Sequence, residues 1–576
     1  MEYAAVGVFA IVVIVAVSAF SKQLGIAAPL LLVVAGLGFS FIPGAPTVDI
    51  PPWIILDAVL PPLLYASAVQ VPLVDFRRNV GRISALSVLL VIVTSFGVGF
   101  VMYALIGGLD LGAAIALGAV VSPTDVVAAT TIARRLGLPA RLITTLEGEG
   151  LVNDASALVM LKSAIAASGA GLSLLSVAGE FALSVSVAIV IGLAAGVLTV
   201  WVRSTLRDPI LDTAISFTVP FIAFIPADML NASGLLAAVV AGIYSGHRGA
   251  SLFTAQTRLS ERLNWRTVQF LLENGVFLLM GLELKAVITK VPDDEFGIGL
   301  SVLFGLLVCV VLLVVRALFV VPIVLQLQRA QRRASRNDGL MNAWLGRIRR
   351  RPDPTDDRGR RRARRSRRFA ARREADNESL QADSVDWRGG VVLTWAGMRG
   401  VVTLAAAQSL PADTPYRPQL VLIGFTVAVF TLLVQGGSLP MLIKRIGIRG
   451  SDVAADRRSL AALVDEMSAA GLAALDEEIP ENNDEKADPE VIERVRQDTL
   501  LRSAAAWERA ERAESDDPEA GPHHQYRALR MRVLAAEREA VIEARSRGSY
   551  PSRVLTRAQN LLDAEEARVS QGVDGA

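Results

Sequence analysis

Apolar stretches of eighteen residues or more recur along the chain from its start to about residue 445, and each is long enough to cross a hydrocarbon core. This repetition sets the fold class before anything else is considered. With 52% hydrophobic residues and a mean hydropathy of +0.45 over 576 residues, the chain has more apolar surface than a water-soluble shell could hide. Runs and breakers place spans near 3–20, 24–43, 51–69, 83–107, 111–133, 142–168 and 173–202. Further spans fall near 208–227, 231–246, 265–288, 298–327, 388–409 and 418–444, about thirteen in all. The opening stretch, MEYAAVGVFAIVVIVAVSAF, lacks a basic leader and reads as the first span rather than a cleaved signal.

The loops test that count. FRRNVGR (76–82), ARRLGLPAR (133–141), RSTLR (203–207) and the stretch from His247 to Arg266 all fall on one side. The alternate loops, GGLDLG, SGAG, PADMLNAS, VPDDEF and PADTPYRP, are poor in Lys and Arg. By the positive-inside rule the N-terminus lies outside and the C-terminus in the cytoplasm of a multi-pass plasma-membrane protein. The loop 328–387 centres on RRRARRSRR (360–368). A nucleic-acid arm is conceivable, but a disordered cytoplasmic loop that fixes topology and touches anionic lipid is the better reading. From 446 to 576 the chain is hydrophilic, with Leu, Ala and Val at helical spacing among many Glu and Arg, as in a cytoplasmic helical tail. The division is therefore a transmembrane domain, 1–445, and a tail, 446–576. The single cysteine, Cys309, excludes an intrachain disulfide, and three histidines argue against a histidine-rich metal site.

Ionisable groups at membrane depth are costly and point to function. Three clusters carry them. In Ser122-Pro123-Thr124-Asp125, Pro123 removes a backbone donor, so the fifth span should break there. The freed carbonyls, with Thr124 and Asp125, are oxygen ligands suited to a hard cation. In Glu147-Gly148-Glu149-Gly150-Leu151-Val152-Asn153-Asp154, Glu149 and Asn153 share one helix face, as do Gly150 and Asp154. A lone carboxylate at this depth resists ionising, so a proton and a cation compete for it. In Trp395-Ala396-Gly397-Met398-Arg399-Gly400, Arg399 needs a partner, which Glu149 would supply, and Gly397 and Gly400 suggest a second interrupted helix. If spans one to six and eight to thirteen form two inverted-topology repeats, both breaks occupy the same place in each, the arrangement expected around a transporter's midplane site. Prolines and glycines kink many membrane helices and an Arg–Glu pair can simply hold helices together, but all three clusters together point to transport. Asp57, Glu180, Asp212, Glu273 and Lys162, in or near spans, either line a funnel or pair locally.

On these motifs the chain resembles the bacterial sodium/proton antiporters of the electroneutral cation:proton antiporter family. SPTD (122–125) is similar to that family's threonine–aspartate motif, EGEGLVND (147–154) to its EGES-x-x-ND signature and TWAGMRG (394–400) to its glycine-flanked arginine. LPPLLYASA (60–68), SGLLAAVVAG (233–242) and the tail segment 549–569 add to the likeness. The resemblance implies an all-α homodimer in which a core bundle with two crossed, discontinuous helices moves against a dimerisation domain. It implies that Asp154 exchanges a proton for Na+ (Li+ or K+ being alternatives), that the Thr124 carbonyl and Asp125 assist, and that Asn153 replaces a second aspartate found in electrogenic relatives. Exchange would then be electroneutral, with no cofactor and no nucleic-acid partner. Three departures are visible: Gly150 in place of a frequent serine, Ala66 in place of a frequent glutamate, and Val126 in place of a frequent proline. A K+-selective exchanger and a cation channel remain as rivals. An intramembrane enzyme has no supporting nucleophile–base pair, HExxH or P-loop.

Overall fold

Proline, glycine and aspartate cut the apolar sequence into helices, and the computed structural model shows where each begins and ends. It describes residues 2–43, 50–167, 174–206, 208–292, 296–349, 386–448, 453–477, 488–512, 522–547 and 552–570, with scattered positions between 356 and 373. No strand occurs among them. The SGAG loop and most of the arginine run 360–368 lie outside the described residues.

In chain order the first helices are α1 (Glu2–Leu24), α2 (Ala28–Ser40), α3 (Leu60–Gln70), α4 (Leu73–Ser84), α5 (Leu90–Leu105), α6 (Leu111–Val121), α7 (Val126–Arg135) and α8 (Ala140–Ala167). There follow α9 (Leu174–Thr205), α10 (Pro209–Met229), α11 (Gly234–Leu252), α12 (Ala255–Leu282), α13 (Leu284–Thr289), α14 (Ile298–Arg349), α15 (Trp387–Trp395), α16 (Val401–Gln408), α17 (Arg417–Phe430) and α18 (Gly437–Ile446). The tail holds α19 (Val453–Glu477), α20 (Pro489–Arg512), α21 (Pro522–Arg547) and α22 (Ser552–Ser570). Wider π-turns at Ile54–Val59, Ala85–Leu89 and Thr431–Gly436 lead into α3, α5 and α18. The first precedes Pro61-Pro62, whose missing N–H groups leave carbonyls that a regular helix would have bonded.

Residues 1–450 form one compact unit and 451–576 a second. In the second, α19 pairs with α20 and α21 with α22 as antiparallel hairpins. In the first, α1–α3 and α9–α12 pack mainly on one another, while α4–α8 and α14–α18 make another bundle. Among the described residues six stretches are long and apolar enough to cross a bilayer, making this a multi-pass membrane protein. Their burial sorts them by place: 78% of the apolar window of Leu111–Arg135 is enclosed by protein, against 28% for Gly179–Thr205 and for Ile298–Arg333. The outward side chains of those peripheral helices, such as Val190, Leu198, Val310 and Leu318, suit lipid. The most enclosed apolar stretch is thus one that contains a break.

One expectation is corrected here. The segment after residue 327 is helical as far as Arg349, a continuation of α14, rather than a disordered loop from 328 onward. Arg, Gln, Ala and Leu are good helix formers, and the first proline after Pro322 is Pro352.

Candidate functional site

Between α6 and α7 the helix stops for Ser122–Asp125, and between α15 and α16 it stops for 396–400. Each break leaves carbonyls at one helix end and N–H groups at the next without intrahelical partners. The two breaks meet and supply one another's partners. Asp125 N donates to the Met398 carbonyl at 2.7 Å, and Arg399 Nε donates to the Val121 carbonyl, at the end of α6, at 2.9 Å. Arg399 Nη1 donates to the Gly397 carbonyl, and Arg399 N to Thr431 Oγ1 at 2.9 Å. Asp125 Oδ1 caps α7 by accepting from Val127 N at 3.0 Å.

The two glycines flanking Arg399 admit charged neighbours. A Cβ on Gly400 would stand 2.0 Å from Asp125 Oδ2, so any larger residue would push that carboxylate away. A Cβ on Gly397 would stand 2.6 Å from Cδ of Arg316, which passes at that point on its way to α8.

That route corrects the expected ion pair. Glu149 is held by Arg316, not Arg399: Nη1 donates to Oε1 at 2.6 Å and Nη2 to Oε2 at 2.9 Å, with both side chains buried. Arg316 Nε also donates to the Leu393 carbonyl at 2.9 Å. Arg399 instead lies among carbonyls near the ends of α6 and α15, where the partial negative charge of two helix C-termini serves in place of a carboxylate. Arg316 is not among the residues that the motifs single out. Its signal was nevertheless present: Arg316 is the one arginine within the apolar run 298–327.

From Glu149 the polar network continues to the first break. Thr124 Oγ1 donates to Glu149 Oε1 at 2.8 Å, and Asn153 Nδ2 donates to both Thr124 O and Thr124 Oγ1 at 2.9 Å. Asn153 is buried, and its Oδ1 accepts from no donor among the described residues. Asp154 follows on α8, half-buried and within electrostatic reach of Asp125. Among the described residues neither aspartate has a lysine or arginine partner. The structure therefore brings Thr124, Asp125, Asn153 and Asp154 together, with Glu149 behind them and locked.

Two of the departures noted in the sequence are one packing event. A Cβ on Gly150 would fall 2.2 Å from Cγ2 of Val126. The valine fills the space that a serine at 150 would need, so each residue permits the other. Ala66 is fully enclosed. Of the polar residues left open, Asp212 forms a two-pronged buried pair with Arg203, at 2.9 Å for both bonds, and Lys162 meets Asp228 at 3.0 Å. Arg203 also lies 2.9 Å from Glu261. Cys309 is buried as packing.

Residues 8–445 match the transmembrane sodium/hydrogen exchanger family. The chain belongs to that family. It is 28% identical to an uncharacterized Na+/H+ exchanger of Mycobacterium tuberculosis over 98% of this chain and 97% of the relative. It is 26% identical to a sodium, potassium, lithium and rubidium/H+ antiporter of Bacillus pumilus over 72% of this chain and 58% of the relative. The fold is shared with the sodium proton antiporter MjNhaP1 of Methanocaldococcus jannaschii, with a TM-score of 0.53 at 15% identity, covering 78% of this chain and 99% of that one. The crossed breaks and their carboxylates thus lie in the transmembrane part of an exchanger fold.

Proposed function

We propose that the protein is a secondary active antiporter that exchanges Na+ for H+ across the plasma membrane, with Asp154 as the carboxylate both ions share. The supporting observation is the contrast inside the site: Glu149 is fully matched by Arg316, while among the described residues Asp154 and Asp125 stand at the crossing with no ion-pair partner. An acidic site of that kind attracts either a proton or a metal cation, and binding one disfavours the other. Asp125, the Thr124 oxygens and the free Asn153 Oδ1 offer the further oxygens that a hard cation takes. The carbonyl of Thr124 already accepts from Asn153, and its second lone pair remains for the ion.

Alternating access follows if the bundle that contains the crossing, α4–α8 with α14–α18, moves against α1–α3 and α9–α12. When Na+ arrives, one proton leaves Asp154, and the loaded site has the same charge on both journeys. Such exchange is electroneutral. We place the N-terminus outside and the tail in the cytoplasm, on the alternation of basic loops, and assign the working unit as a homodimer in lipid, about thirteen spans per copy. A broader cation range is the second reading, favoured by the similarity to the Bacillus pumilus antiporter, whose substrates include potassium, lithium and rubidium.

The test is flux in proteoliposomes with Na+, Li+ and K+ gradients, with and without a potential imposed by K+ and valinomycin. Saturable proton movement coupled to Na+ and indifferent to the potential is the expected outcome. Proton flux absent under every cation gradient would refute antiport, and conductive, non-saturating Na+ flux would identify a channel instead. A rate that follows the imposed potential would remove electroneutrality alone.

A further inference from the structure

Several buried acidic side chains inside the membrane unit have their charge answered. Glu149 has Arg316, and Asp212 and Glu261 have Arg203. Among the described residues, one half-buried carboxylate outside the proposed site lacks any cationic partner: Glu273, on α12. Its Oε1 accepts from Gln269 Nε2 at 2.7 Å, a neutral donor one helical turn earlier. It stands within electrostatic reach of Asp125, although α12 belongs to the opposite bundle. The contact between α12 and α16, the helix that opens at Gly400 beside Asp125, explains that proximity.

Behind Glu273 runs a polar seam between α3 and α12. Gln269 Nε2 donates also to Ser67 Oγ at 3.2 Å, and Gln70 Nε2 donates to Gln269 Oε1 at 2.8 Å. Gln70 is the last residue of α3, just before the basic segment 76–82. Amide and hydroxyl groups therefore lead from the end of α3 to an uncompensated carboxylate within electrostatic reach of Asp125. Asp125 is thus within electrostatic reach of both Glu273 and Asp154, and such carboxylates repel unless a positive ion sits among them.

We propose that Glu273 is a third carboxylate of the cation path: it draws Na+ in along the seam between α3 and α12 and passes it to Asp125 and Asp154. It stands on the bundle that does not contain the exchanging aspartate, so it governs how readily the ion is captured and leaves the exchange step itself to Asp154. The inference rests on the antiport reading.

The experiment compares wild type, Glu273→Gln and Glu273→Asp in proteoliposomes, measuring Na+-driven proton flux against Na+ concentration. Removing one nearby charge should raise the half-saturating Na+ of Glu273→Gln about tenfold and leave its maximal rate within about twofold, while Glu273→Asp stays near wild type. The midpoint of Na+-dependent thermal stabilisation in detergent, which needs no transport, should move by the same factor. An unshifted half-saturation and an unshifted stabilisation midpoint in Glu273→Gln overturn the proposal, as does a fall in maximal rate at unchanged half-saturation. A wild type without Na+-driven proton flux defeats the antiport reading itself, whereas active wild type with an indifferent Glu273→Gln defeats this inference only.

Discussion

Five residues apart on α8, Glu149 and Asp154 are two carboxylates with opposite electrostatic surroundings. Both Glu149 oxygens are bonded to Arg316, one of them also accepts from Thr124, and the side chain is enclosed. Asp154 has no such partner among the described residues and retains partial exposure. A charge that is matched and dry is a structural brace, and exchanging its counter-ion would leave a buried arginine unpaired. A charge that is unmatched and reachable is free to change partners. On the proposed mechanism the same helix holds both the part that stays fixed and the part that exchanges ions, and substitutions at each should separate stability from transport.

The largest effect should come from Asp154→Asn, which keeps the shape and cannot cycle a proton. Proton flux driven by Na+ should vanish, with the protein inserted and its melting temperature close to wild type. Next, Arg316→Ala and Glu149→Ala should each destabilise the detergent-solubilised protein, by about 3–5 kcal/mol on the scale of buried pairs in soluble proteins. The double substitution should recover part of that loss, and strictly additive losses in a thermal-melt cycle would separate the two residues. Arg399→Ala combined with Glu149→Ala should by contrast show little mutual rescue.

Gly150→Ser is a smaller perturbation. Its Cβ meets Val126, so the single substitution should lower stability by about 1–3 kcal/mol, and Val126→Ala in the same chain should restore most of it. A tolerated Gly150→Ser would show that Val126 moves aside. The smallest effect belongs to the exposed pair Lys162–Asp228, where Lys162→Met should change thermal stability by less than about 1 kcal/mol.

The parts of this arrangement readable from sequence were those with local causes. Pro123 and the Gly397–Gly400 pair act on their own backbone, and both breaks fall on them. Aspartate and asparagine in an apolar run also declare themselves. The partner of Glu149 did not, because it stands 167 residues away and an arginine at membrane depth says that it needs a partner without saying which. Arg399 was the nearer guess by motif, but the packing gives it two helix ends instead. Glu273 was visible as a polar residue in a span, and only its hydrogen bond to Gln269, with that residue's bonds to α3, supports the proposed path over a local pair. The coupling of Gly150 to Val126 was hidden for a related reason: each departure looks like a loss when read along the chain, and only the fold shows that they fill one space.

The central claim is that one carboxylate holds either a proton or Na+, and proton release on Na+ binding tests it without any transport step. Calorimetric titration of the purified protein with Na+, repeated in buffers of different ionisation enthalpy, counts the protons released per ion bound. About one proton should be released per Na+ in wild type, with weaker Na+ binding as pH falls and no Na+-linked release in Asp154→Asn. Na+ binding without proton release, or release that persists in Asp154→Asn, would contradict that claim.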